Sequence, residues 1–178
     1  MLRDIHVHVA HGMTLAEAKD YFERVMRFNN VEKITVLSIP SSLSMPEEKH
    51  MALTENLFVL ALKQMMFPNC FAYMGLTHEE GHADYLTQLE RGIRQGFEGL
   101  KILESKPDVQ KKLGIRMSDA MFDEMFKRAE ELKFPILMHV ADPSASWDRE
   151  KCDKWALEHG RCYDAPGFLS SKDFYDDV

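Results

Sequence analysis

Basic charge, cysteine and long apolar runs are all scarce in this sequence. Lysine and arginine number 22 against 29 aspartates and glutamates, a formal net charge of -7. A nucleic-acid partner is therefore not expected, because that role needs a basic face. Cysteine occurs three times in 178 residues, as Cys70, Cys152 and Cys162. That is too few for a disulfide framework and reads as reduced thiols in a cytoplasmic protein. No apolar run reaches the roughly 18 residues that a membrane helix needs. The N-terminus enters a strand-like segment without the apolar stretch and cleavage site of a secretory signal. No Gly-rich phosphate loop and no G-x-S-x-G elbow is present, so P-loop and serine-hydrolase chemistries lack their usual carriers.

What is there suits one globular domain over residues 1–178, with 45% hydrophobic and 29% charged residues. Five short apolar runs read as buried strands: Asp4–Val9, Lys33–Ile39, Cys70–Leu76, Gly99–Leu103 and Pro135–Val140. Helical patterns lie between them. The first follows Thr14, with Glu17 placed for a capping box. A long one runs from near Pro46 to Phe67, a third covers about Ala83 to Gln95, and a fourth starts after Ser118. After the last strand comes a polar loop with a short helix around Asp148 to His159. Ser170 to Val178 reads as a capped helix just beginning.

Strand and helix in alternation mean βαβ units, a parallel sheet and right-handed crossovers. Strand starts are roughly 30 to 37 residues apart, so eight units would need on the order of 260 residues, the length of a (β/α)₈ barrel. This chain holds five. The fold class expected is α/β, a TIM (β/α)₈-type barrel of which the chain supplies about the first five βα units. A complete five-stranded doubly wound sheet fits the strand pattern as well.

The chemistry-bearing residues gather at strand ends. His6 and His8 are two apart, so an extended strand sends both to one side and Ile5, Val7 and Val9 to the other. Two such imidazoles can chelate one ion at about 2 Å each. Asp4 shares their side and could orient a ligand. His139 falls near the end of the fifth strand, at the rim where barrel enzymes place their sites. Three histidines on one rim match a three-nitrogen zinc cradle with positions open for water or substrate. Lys101, between Leu100 and Ile102, is expected to face the barrel interior, where a lysine needs a partner or a role. It is a candidate catalytic and substrate-binding residue, contacting a substrate carboxylate or, once carboxylated, bridging two metals. His78 and His82 follow the third strand, and His78 is the candidate substrate contact. His11 lies in the first loop, and His50 is expected to face solvent. Cys152, His159 and Cys162 fit no common zinc spacing and read as a loop over the site. The Met-rich helices read as core.

Asp4-Ile-His-Val-His8, Gly99-Leu-Lys-Ile102, Ala129-Glu-Glu-Leu132 and Phe134-Pro-Ile-Leu-Met-His139 together resemble the amidohydrolase superfamily. The nearest branch is the amidohydrolase 2 group, with its aminocarboxymuconate semialdehyde decarboxylase-like and pyrone-dicarboxylate lactonase-like enzymes. The resemblance spans Asp4 to about His139. It implies a divalent metal, zinc first and manganese second, held by His6, His8 and His139. It also implies a further histidine after a sixth strand and an aspartate after an eighth, which acts as general acid or base; neither has a counterpart here. Many relatives carry a histidine where this chain has Leu103. The implied activity is hydrolysis of a small carboxylate, lactone or amide by metal-activated water, with nonhydrolytic decarboxylation as the variant.

Two other readings stay open. Phosphoesterases of the polymerase-and-histidinol-phosphatase type and TatD-like nucleases also begin with H-x-H on a first strand, although the acidic charge speaks against a nuclease. A non-catalytic five-stranded domain would expose its sheet edges and need a partner chain, a swapped dimer or further strands of its own. The expected partner is a small-molecule substrate, with a homo-oligomer left open.

Overall fold

The computed structural model describes residues 2–10, 12–39, 56–78, 84–140 and 142–178. His11, His50, His82, Ala83 and the first part of the long helix expected from Pro46 lie outside the described residues. The chain divides into two compact units. One comprises Met1–Lys101 with Glu124–Leu137, the other Ile102–Asp123 with Met138–Val178.

Five strands form one sheet: β1 (Leu2–Val7), β2 (Val31–Leu37), β3 (Cys70–Gly75), β4 (Gly99–Ile102) and β5 (Ile136–Met138). Their order in the sheet is their order in the chain. β1 to β4 pair in parallel, with Ile34 opposite Cys70 and Met74 opposite Leu100. At β5 the Leu100 N–H donates to Pro135 O at 2.9 Å and the His139 N–H to Ile102 O at 3.0 Å, the evenly spaced pattern of a parallel pair. A doubly wound sheet reverses its strand order at a switch point. This sheet has no reversal, so that alternative falls. The fold is α/β, with the winding of a (β/α)₈-type barrel and five of its βα units.

Between the strands lie α1 (Leu15–Phe28), α2 (Asn56–Met65), α3 (Tyr85–Gln95), α4 (Pro107–Leu113) and α5 (Asp123–Leu132). The capping box of α1 is present: Glu17 N–H donates to Thr14 Oγ1 at 3.3 Å, and Thr14 N–H donates to Glu17 Oε2 at 2.8 Å. α1 buries Ala18, Phe22 and Met26, one turn apart, and packs on β2. α2 buries Phe58, Val59 and Leu62 against β3. α3 approaches β3 so closely that a Cβ on Gly92 would lie 2.1 Å from Met74 Sδ. Ile34, Val36, Ala72, Met74 and Leu100 are at most 3% exposed. A fully buried Val, Leu, Ile or Met side chain contributes about 1.5–3 kcal/mol, so these rows are the main stabilisation of the first unit.

β1 departs from the expectation of a buried strand. Leu2 and Ile5 are 54% and 60% exposed, and burial begins only at Val9. Among the described residues β1 has a strand neighbour on one side only. The fourth helical pattern is split into a 3₁₀ turn at Ala120–Phe122 and α5. α4 was not expected from the apolar spacing. Among the described residues no helix is long and apolar enough to cross a membrane.

In the second unit the stretch after β5 is more ordered than a polar loop. A 3₁₀ turn (Ser144–Trp147) leads to α6 (Lys154–Glu158) and α7 (Ser171–Asp177). The Trp147 ring meets Tyr163 and Phe174 at centroid distances of 5.0 and 5.4 Å, and its Nε1–H donates to Leu169 O. Ser170 caps α7 as its sequence suggested, accepting from the Asp173 N–H at 3.1 Å. Asp177, at the other end of α7, accepts from the backbone N–H groups of Met117 and Ser118 and from the Gln110 amide.

Candidate metal centre

His6 sits inside β1 and His8 one residue beyond its end. The pairing with β2 slips between Asp4 and Val7: Asp4 lies opposite Ile34 and Val7 opposite Val36, so β1 holds one residue more than β2 over that stretch. Such a bulge re-aims a side chain. Here the two rings meet edge to face, with Nε2 of His6 3.1 Å from Nε2 of His8. At a bond length of about 2.1 Å to each nitrogen, a 3.1 Å separation subtends about 95° at a shared ion, within the range of common coordination geometries. Both residues are exposed. The pair therefore fits two ligands of one divalent cation. Asp4 was expected to orient a ring; its Oδ1 instead accepts the backbone N–H of His6 at 3.0 Å, which pins the bulge.

Lys101 lies opposite Gly75 at the carboxyl end of β4 and is 2% exposed. The neighbouring Leu100 and Ile102 alternate to the other side, as expected of a strand. His78 follows β3. Its Nδ1 lies 2.7 Å from the Tyr85 hydroxyl, and Tyr85 opens α3. Gln88, one turn further on, accepts the Thr77 N–H at 2.9 Å and donates to Thr77 O at 2.9 Å. The loop that carries His78 is thus tied to the first turn of α3. At the end of β3 the Asn56 amide donates to Gly75 O at 2.9 Å and accepts the Gly75 N–H at 2.8 Å.

His139 belongs to the second unit and directly follows β5. Its backbone is held twice, by its N–H on Ile102 O and by the Ser105 hydroxyl donating to its carbonyl at 2.6 Å. Its Nε2 lies 3.5 Å from Asp142 Oδ1, an ion-pair contact and not an aligned hydrogen bond. The other oxygen of Asp142 accepts the Tyr163 hydroxyl in a short hydrogen bond. The His139 ring, then the Tyr163 hydroxyl and the Lys106 charge, hold the Asp142 carboxyl down at about 2 despite its burial. Burial, then the hydrogen bond to Asp142, push the Tyr163 phenol up. Lys106 is itself 5% exposed and pairs with Asp108 at 2.8 Å. Asp142, Tyr163, Ser105 and Lys106 were not singled out in the sequence. Asp142 stands three residues past His139 and Tyr163 another 21, spacings that no motif marks.

Among the described residues no group of three or more His, Cys, Asp or Glu side chains is gathered at metal-binding distance. His6 and His8 come together within the first unit, and His139 stands with Asp142 in the second. Cys152 and Cys162 are buried together with Ala156, and burial followed by the Cys162 thiol pushes Cys152 up to about 11. His159 stands apart from them, stacked on Trp155 at 4.5 Å.

No family model and no curated protein matches the sequence. Among solved structures, a 4-oxalomesaconate hydratase from Rhodopseudomonas palustris superposes with a TM-score of 0.55 at 14% identity, over 90% of this chain and 60% of its own. A probable 2-pyrone-4,6-dicarboxylic acid hydrolase from Acinetobacter baumannii gives a TM-score of 0.39 at 14% identity, over 77% of this chain and 57% of its own. The chain spans about three fifths of the length of the hydratase it matches. The likeness to that hydratase is one of fold, and it agrees with the barrel winding read from the strand order.

Proposed function

We propose that this protein is a metal-dependent hydrolase that directs an activated water at a small carboxylate, lactone or amide. The observation that carries the reading is the convergence of His6 and His8 to 3.1 Å at their Nε2 atoms. At that distance one ring can donate to the other, and with both nitrogens bare the same pair can chelate one ion. His6 and His8 would hold the ion, the resemblance to the amidohydrolases implies His139 as a further ligand, and zinc is the first choice for a nitrogen-rich set. The chemistry such an ion would supply is a water whose pKa falls from about 15.7 to about 7, together with polarisation of a carbonyl.

The remaining work falls to the chain's own side chains. Lys101, buried at a strand end, would pair with the substrate carboxylate and set its orientation. His78, steadied by Tyr85, would donate to or accept from a substrate oxygen. The likeness in fold to a 4-oxalomesaconate hydratase fits a water-activating reading, with nonhydrolytic decarboxylation kept as the variant. The test is turnover of a panel of small anionic lactones and amides before and after chelation. Expected is loss with chelator and recovery with added zinc or manganese. Turnover that survives chelation, or turnover of generic phosphodiesters alone, would overturn it.

A further inference from the structure

His139 poses a question that the metal reading leaves unanswered: what decides which of its ring nitrogens is bare. A ligating imidazole needs a lone pair on the nitrogen that meets the metal, and so a proton on the other. The neutral ring has two tautomers, and an unconstrained ring samples both. The carboxylate that Nε2 faces is that of Asp142, 3.5 Å away at Oδ1. Asp142 is held in turn by Tyr163, whose hydroxyl donates to Oδ2. Tyr163 is 2% exposed, its N–H donates to Ser146 O at 2.6 Å, and its ring rests on Trp147 and Phe168 at centroid distances of 5.0 Å each. The base of this chain of contacts is therefore fixed by packing, and it ends in the ion-pair contact between the Asp142 carboxylate and the ring.

We infer that Asp142, anchored by Tyr163, is a positioning residue that keeps the proton of His139 on Nε2 and leaves Nδ1 as the bare nitrogen. The carboxylate can only accept at Oδ1, so a ring turned to place bare Nε2 against it would set lone pair against lone pair. The Nε2–H tautomer turns the same approach into a charge-assisted contact. The Ser105 hydroxyl on the His139 carbonyl and the His139 N–H on Ile102 O keep the backbone from relieving the constraint. The inference rests on the proposed metal role of His139 only in what the bare Nδ1 is for; the tautomer itself is a property of the metal-free chain.

The experiment reads the tautomer directly. Two-bond ¹⁵N–¹³C correlation spectra of the full metal-free chain are recorded near pH 8, with His139 assigned by the peaks lost in His139→Gln. Expected is a bare Nδ1 and a protonated Nε2 in the wild type. Asp142→Asn and Tyr163→Phe should each move His139 toward a mixture, without shifting the His159 ring. Zinc affinity, measured by competition with a chromophoric chelator, should fall about 10–100-fold in Asp142→Asn, the usual effect of losing a partner behind a ligating imidazole. If Asp142→Asn unfolds, Tyr163→Phe carries the test, because it removes only a hydroxyl. A wild-type His139 protonated on Nδ1, or an unchanged tautomer in both variants, overturns the inference. A wild type with the expected tautomer but no measurable zinc binding would leave the positioning in place and remove the metal reading instead.

Discussion

His6 and His8 share one side of the chain, beside a one-residue bulge between Asp4 and Val7. Two residues on the same side of a regular strand stand about 6.6–7 Å apart along it, yet these ring nitrogens approach to 3.1 Å. The sequence showed which residues pair; the bulge beside them depends on the register with β2, which no local pattern reveals. Lys101 was legible in the same way, as a charge in an apolar strand, and it is buried as expected. Its exchange for Met should keep the fold and raise KM for an anionic substrate about 10–100-fold, the usual worth of a hydrogen bond to a charged group. Steady-state kinetics on the acid and its neutral methyl ester check this, with the ester expected to change little. Asn56 was not legible, because its partner Gly75 is 19 residues away. Asn56→Ala removes both hydrogen bonds and leaves strand-end backbone groups unpaired, so a loss of about 1–3 kcal/mol is expected in urea denaturation.

Among the elements, those with local signals came through clearly. α1 begins at the box that Thr14 and Glu17 spell, and α3 ends at Gly96, whose φ of 95° suits a residue without a Cβ. α4 was missed although Pro107 at its first turn and Gly114 at its end, with φ of 67°, are standard punctuation. Seven residues carry too few apolar positions to show a period, and only the punctuation remained. Thr14→Ala should cost about 1 kcal/mol in thermal or urea unfolding. The backbone and side chain of Thr14 lower the Glu17 carboxyl below its ordinary 4.5. A depressed carboxyl stabilises the fold above its unfolded value and loses that effect as pH falls through the folded value. The gap in stability between wild type and Glu17→Gln should therefore be present at neutral pH and close on acidification below that ordinary range.

For the whole molecule, strand order decided the class. Composition and periodicity allowed either an open doubly wound sheet or a barrel portion. The order β1-β2-β3-β4-β5 follows from pairing between distant segments, which sequence spacing leaves open. It also leaves β1 and β5 at the two ends of the sheet, with Leu2 and Ile5 of β1 open to solvent. An exposed apolar end strand invites pairing with another chain. Sedimentation of the 178-residue chain should show concentration-dependent association, and Ile5→Lys should suppress it without altering the far-ultraviolet spectrum; a chain monomeric at all concentrations would contradict this.

The claim on which the functional account turns is that His6 and His8 hold a metal. The direct measurement is the metal content, by plasma emission spectrometry, of chain purified without chelator, wild type beside the His6→Ala/His8→Ala double variant. The account predicts about one zinc or manganese per wild-type chain and near-complete loss in a variant that stays folded, since both residues are exposed. Wild-type chain that binds no divalent metal even after reconstitution, or a double variant that binds as much as wild type, would contradict it.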